Sequence, residues 1–264
     1  MDLDSLSFHQ VTHRDDIAWI AIDRPDAQNA LTVEAAAELR DVTGWAGTNE
    51  DIRAIVITGN GGMFCTGADL RLFEGGVRDE RRLWSVARRL HAAIRNLVTA
   101  PKPVIAKVEG VAAGGGLGLA LSADLVYLAS DARLEFAYPR IGLSGDGGSS
   151  YLLPRLVGLR KARELALLDE PIDAATAVDL GLVTEAVDPV ALDSTVEDTV
   201  DELATGPTKA YGRFKQLTWM GLDRSFDDQL RAEVEVIARL ASSADYEAGI
   251  NAFFEKSDPT FTGE

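Results

Sequence analysis

Residues 110–118 read GVAAGGGLG: five glycines in nine positions, between the β-rich run KPVIAKVE (102–109) and the apolar LALSADLVYLA (119–129). Ordered glycine costs conformational entropy, and a helix start needs at most one, so packing alone does not account for five. The run before the glycines has strand character and GLGLALSAD after them has helical spacing, which sets backbone N–H groups at a helix N-terminus, an anion-binding geometry. The spacing is not G-x-G-x-x-G with an acidic residue after the next strand, and G-K-[ST] is missing, so neither a dinucleotide fold nor a P-loop is indicated. A second glycine turn, GNGGMFCTGADL (59–70), also follows a strand-like run. Two such turns can aim two donors at one oxygen, forming an oxyanion hole.

Outward from these turns the same theme repeats. IAWIAIDRP (17–25), DIRAIVITGN (51–60), KPVIAKVEG (102–110) and ADLVYLAS (123–130) are apolar, β-rich runs closed by turn residues, and are predicted to be strands of one sheet. Thr32 is placed to cap a helix through VEAAAELRDVTGWA, and RDERRLWSVARRLHAAIRNLV (78–98) carries apolar residues at helical spacing until Pro101. Strands alternating with helices predict an α/β layered domain with ligand loops at strand ends. From Ser149 onward the pattern is almost wholly helical, and helices that leave an α/β core pack on a neighbouring subunit or cap a site.

The chain has 264 residues, 42 acidic against 26 basic, and a formal net charge of −16. That charge repels phosphate backbones and argues against general nucleic-acid binding. Aspartate outnumbers glutamate and arginine outnumbers lysine, a balance resembling that of proteins from salt-loving organisms; a merely acidic protein from low salt is the competing reading. Loss of folded circular dichroism on dilution from high salt separates the two. One cysteine, Cys65, allows no internal disulfide, and His9, His13 and His91 lack metal-ligand spacing, so no metal is expected. No apolar run is long enough for a membrane span and the N-terminus lacks leader character, so the expected compartment is the cytoplasm.

RPDAQNAL (24–31), FCTGADL (64–70), PKPVIAKVEGVAAGGGLGLALSADL (101–125), IGLSGDGGSSYLLPRLVG (141–158) and the closing SADYEAGINAFFEKSDPTFTG together resemble the enoyl-CoA hydratase/isomerase (crotonase) superfamily over nearly the full chain. The resemblance implies a ClpP-like α/β spiral of ββα units forming an acyl-CoA-binding core (1–200), with a C-terminal helical oligomerisation region (201–264). It implies a homotrimer or dimer of trimers, and an acyl-CoA thioester as substrate, coenzyme A entering as part of it and not as a separate cofactor. The two amides of the oxyanion hole map onto Ala68 and Gly115. Arg24, Ala30, Gly67, Asp69, Leu70, Gly114 and Tyr138 are the substrate-binding positions it suggests.

Family hydratases use two glutamates, and the matching positions here are Gly118 and Arg140, neither of which is a general base at neutral pH. Asp146 falls where double-bond isomerases, ring-rearranging epoxyphenylacetyl-CoA isomerases and 4-chlorobenzoyl-CoA dehalogenases carry an acidic residue; outside that resemblance it reads as a helix cap. An apolar pocket is expected to raise its pKa. His91 matches the water-activating histidine of the dehalogenases, and Tyr138 falls where they have tryptophan. The first expectation is therefore an isomerase with Asp146 as acid and base. The alternatives are a dehalogenase with Asp146 as nucleophile and His91 as water activator, a non-catalytic acyl-CoA-binding protein, and, least favoured, a hydratase. Cys65 reads as packing, and Ser144, Ser149 and Ser150 as turn and cap residues. Arg24 and Arg71 suit phosphate but equally a solvated surface, and the arginines of the 81–91 helix read as a solvated face. The loop FEGGVRDERRLW (73–84) is expected to shape the pocket and to be mobile.

Overall fold

The computed structural model describes residues 1–74 and 80–264. Residues 75–79, the middle of the 73–84 loop, lie outside the described residues.

The chain opens with β1 (His9–Arg14), β2 (Ile17–Ile22), α1 (Val33–Thr48), β3 (Ala54–Gly59) and α2 (Glu80–Thr99). Every residue of β3 is buried and β2 is nearly so, as expected of strands covered on both faces, whereas β1 alternates toward solvent as an antiparallel edge. Thr32 caps α1, its hydroxyl accepting from the Ala35 amide at 3.2 Å. Val86, Leu90, Ala93, Leu97 and Val98 form the buried stripe of α2, which packs on α1.

Next come β4 (Val104–Val108), β5 (Val111–Ala113), α3 (Gly115–Leu121), then β6 (Leu125–Ala129), β7 (Arg133–Glu135), α4 (Ser149–Leu168). In each of these ββα units the first strand joins a six-stranded sheet and the second a smaller one. With β8 (Ile172–Asp173) and β9 (Glu185–Val187) from later in the chain, the large sheet has the order β1-β2-β3-β4-β6-β9, parallel after its first pair, and the small one the order β5-β7-β8. Successive units stack, which makes the α/β spiral. The four runs predicted as strands are β2, β3, β4 and β6, side by side.

The last third is almost wholly helical, as expected, but two short strands interrupt it. After α4, which breaks at Gly158, the chain forms β8 (Ile172–Asp173), α5 (Ala174–Asp179) and β9 (Glu185–Val187), and β9 returns to pair with β6. Strands of two or three residues are too short to set up a period. α6 (Leu192–Thr205) lies against the large sheet with Val196 and Val200 fully buried, so residue 200 falls inside a core helix. α7 (Thr208–Gly221), α8 (Phe226–Leu240) and α9 (Ala244–Glu255) follow, and α8 buries none of its residues in the single chain. No helix among the described residues is long and apolar enough to cross a membrane.

Candidate active site

The two glycine turns meet. Cys65 donates its amide to the Val111 carbonyl (3.1 Å) and accepts the Ala113 amide (2.9 Å), which pins the segment after β3 alongside β5. On its other side Leu31 donates to Gly67 and accepts from Asp69. Gly67 is thereby pressed against the start of α3, where a methyl group on it would lie 3.0 Å from the Gly115 nitrogen, and its φ of +85° suits glycine. Gly114 precedes α3 at φ 54°, ψ −120°, and its amide is taken by the Glu135 carbonyl at 3.1 Å. Among the described residues, the amides of Ala68 and Gly115 have no acceptor. Both residues line a cavity of about 530 Å³.

One wall of that cavity is apolar and comes from α2: Leu83, Trp84, Val86, Ala87 and Leu90. The segment 137–146 supplies another part of the lining, with Tyr138, Ile141, Leu143 and Asp146. Asp146 precedes α4 but does not cap it. Gly148 occupies the cap position, and the Asp146 carboxylate takes its hydrogen bond from His91 Nε2 instead. Burial works to raise the carboxyl pKa, as read from sequence, yet the His91 hydrogen bond, the Gly147 amide and the His91 charge outweigh it. The Asp146 pKa is therefore lowered below its ordinary value, the reverse of the expected direction. The Asp146 bond raises the His91 pKa against the effect of burial. His91 itself is half exposed and stands outside the cavity lining.

The two positions that carry glutamate in hydratases are closed. A side chain at Gly118 would overlap the carbonyl of Gly147, so the backbone of the Asp146 loop occupies the room a glutamate would need. Arg140 touches the cavity, but its guanidinium is held by the Glu135 carboxylate and by Asp169 (Nε to Oδ2, 2.8 Å).

Of the other residues picked from sequence, Gly67, Leu70, Gly114 and Tyr138 line the cavity, whereas Arg24, Ala30 and Asp69 stand behind it. Arg24 donates to the Ala30 carbonyl and, at 3.2 Å, to Asp69 Oδ2, bracing the Gly67–Ala68 turn from outside. The Arg71 guanidinium, with the Arg71 amide and Arg24, pulls the Asp69 carboxyl down to about 2 despite burial. Tyr138 is buried, its hydroxyl meets no partner within strict hydrogen-bond geometry among the described residues, and burial reinforced by the Asp146 charge pushes its pKa up against a pull from the Asp146 backbone. Cys65 is fully buried and its thiol is pushed up to about 11, so it packs and does not react. Leu83 and Trp84, read from sequence as the end of a pocket-shaping loop, lie in α2 and line the cavity; sequence reading missed that Val86, Ala87 and Leu90 continue this wall along the helix. Leu83, Trp84 and Ala87 form a flank beside the helix's core stripe, and this second apolar stripe was the available signal.

Residues 12–264 match the family model described as enoyl-CoA hydratase/isomerase. A protein named probable enoyl-CoA hydratase from Rhodobacter capsulatus is 37% identical over 98% of this chain and 100% of its own length. The 1,2-epoxyphenylacetyl-CoA isomerase of Escherichia coli is 35% identical over 94% of this chain and 95% of its own. The 4-chlorobenzoyl coenzyme A dehalogenase-2 of an Arthrobacter species is 31% identical, covering 85% and 82%. Among solved structures, an enoyl-CoA hydratase from Polaromonas sp. JS666 superposes with a TM-score of 0.90 at 32% identity over 96% of this chain and 99% of that one. A match from residue 12 to the last residue, with relatives aligned nearly end to end, leaves no part of the spiral unaccounted for: the chain belongs to the enoyl-CoA hydratase/isomerase family.

Proposed function

We propose that this protein is an acyl-CoA thioester isomerase that moves a double bond, or rearranges a ring, with Asp146 as a single acid and base. The observation that carries the reading is the juxtaposition of one carboxylate, Asp146, with two unclaimed amides, Ala68 and Gly115, in an apolar cavity. Among the described residues the cavity's other carboxylate, Glu80, lies exposed at the start of α2. In a 3-enoyl thioester, Asp146 takes a proton from C2, and the electron pair of that C–H bond passes into the carbonyl to give a dienolate. The two amides and the N-terminal end of α3 hold the oxyanion. Protonated Asp146 then returns the proton to C4, the electrons flow back from oxygen, and the double bond lies between C2 and C3.

The geometry also bears on the competitors. A hydratase needs carboxylates at positions where this chain has Gly118, overlain by the Gly147 backbone, and Arg140, held in ion pairs. The dehalogenase reading draws on the His91–Asp146 hydrogen bond and on the dehalogenase relative. Against it, His91 Nε2 is engaged by the carboxylate and the imidazole lies outside the cavity lining, poorly placed to deliver water to a ring bound within. In the isomerase reading His91 keeps Asp146 ionised.

The exposed apolar surface supports a further part of the proposal, assembly as a homotrimer or dimer of trimers. Leu230, Val234 and Ile237 recur on one face of α8, and Phe253 and Phe254 are each 76% exposed on α9, surface that calls for a partner. The test of the catalytic reading is turnover of three thioesters by wild type and Asp146→Asn: a 3-enoyl-CoA, a 2-enoyl-CoA and a 4-halobenzoyl-CoA. Conversion of the first alone, abolished in the variant, is the expected result; halide release or hydration sends the assignment to a competitor, and binding without turnover of any acyl-CoA to the non-catalytic reading.

A further inference from the structure

The exposed face of α2 was read from sequence as an ordinary solvated surface, but its arrangement is more specific. Arg81, Trp84, Arg88, His91 and Arg95 are all exposed and recur at i, i+3, i+7, i+10 and i+14, one stripe along the helix. The stripe is about 21 Å long at 1.5 Å per residue. Arg81, Arg88 and Arg95 pair with no carboxylate among the described residues, although the chain holds 42 acidic side chains. Arg88 lies instead over the ring of Trp84, 5.0 Å from its centroid. Trp84 is 60% exposed and also lines the cavity, so the stripe begins at the mouth of the site.

In a molecule of net charge −16, an anionic partner is repelled everywhere except where positive charge is left unneutralised, and such a patch beside a cleft steers encounter. Exposed tryptophan set among arginines is also the composition of protein interface hot spots. The phosphates of one nucleotide would occupy a single arginine cluster. Three arginines spread along four turns match an extended acidic surface.

We propose that the Arg81–Trp84–Arg88–Arg95 face of α2 docks an acidic carrier protein that presents the acyl group as a thioester on a phosphopantetheine arm, the arm entering the cavity past Trp84. The proposal rests on the thioester reading above. It makes the protein able to act on acyl groups still attached to a protein carrier.

The experiment measures binding of an acidic holo-acyl-carrier protein at fixed salt, and turnover of the same 3-enoyl group on that carrier, on coenzyme A and on pantetheine. The variants are R81E/R88E/R95E and, as a control of equal charge change elsewhere on the surface, R160E/R163E/K209E. The proposal expects the α2 triple variant to lose at least tenfold in carrier affinity and in kcat/KM on the carrier-bound substrate, with the pantetheine thioester unaffected and the control near wild type. Equal losses in both triple variants, or none in the α2 variant, overturn it. A loss on the coenzyme A thioester matching that on the carrier also overturns it, because the stripe would then be reading nucleotide phosphates. If wild type turns over none of the three thioesters, the isomerase reading fails, while the carrier affinities still decide the docking claim.

Discussion

Asp146 and His91 set each other's charge. In the proposed role Asp146 acts as a base only when ionised, and His91 holds its carboxyl below the ordinary range while burial alone would lift it. The rate of the wild type therefore falls only as pH drops through that depressed value. His91→Gln removes the charge and the charge-assisted bond and leaves the burial, so the acid limb of the kcat/KM profile should move to higher pH; an unmoved limb contradicts the pairing. The same pair gives stability a window. The contribution of His91, whose pKa is raised on folding, is fully present below about 6.5 and fades as pH climbs through the raised value. That of Asp146 is present above about 3.8 and fades as pH falls through the lowered value. A maximum in thermal stability between those limits, flattened in His91→Gln, is the expected measurement. Gly118→Glu restores a hydratase carboxylate on paper, but the Gly147 carbonyl occupies its place, and we expect loss of about 1–3 kcal/mol in denaturant unfolding with no gain of 2-enoyl-CoA hydration. Asp146 was legible because it sits in a motif whose order along the chain is known. The direction of its pKa was not, because His91 is 55 residues away in sequence and only the fold brings the two together.

The four long parallel strands were readable as elements because burial on both faces leaves continuous apolar runs, and α1 because Thr32 marks its start. β5, β7, β8 and β9, at two or three residues, carry no period of their own; pairing with neighbours defines them. The cap and the glycine turn differ in what depends on them. Thr32→Ala deletes one capping bond of a side chain outside the cavity lining and should cost about 1 kcal/mol of stability while leaving kcat unchanged. Gly116→Ala puts a methyl group into the Cys65 carbonyl, so the segment bearing Ala68 must move relative to Gly115. Stability and kcat should fall together there, and a variant that loses stability while keeping wild-type kcat would show that the spacing of the two amides is not what the glycines protect.

A single chain leaves α8 without any buried residue and α9 with two largely exposed phenylalanines, while the core of the spiral is buried. Size-exclusion chromatography with light scattering should therefore report a trimer or a multiple of it, and V234E/I237E should reduce the mass toward that of one chain while the core keeps its circular dichroism. A monomeric wild type would contradict the oligomer. The helical character of the C-terminal third was legible from apolar spacing. Its return to the sheet through β9 and α6 was not, since amphipathic spacing names the face a helix buries and says nothing of which surface receives it.

The most direct measurement follows a 3-enoyl-CoA in deuterated water with wild type and Asp146→Asn, reading conjugated-enoyl absorbance and the site of deuterium uptake by mass spectrometry and NMR. One carboxylate serving as acid and base beside two amides predicts conjugated product from the wild type, with any deuterium confined to C2 and C4. In Asp146→Asn it predicts loss of both conversion and exchange with the thioester still bound. Conversion that persists in Asp146→Asn, or conversion through an accumulating 3-hydroxyacyl-CoA as hydration and dehydration would give, contradicts that assignment.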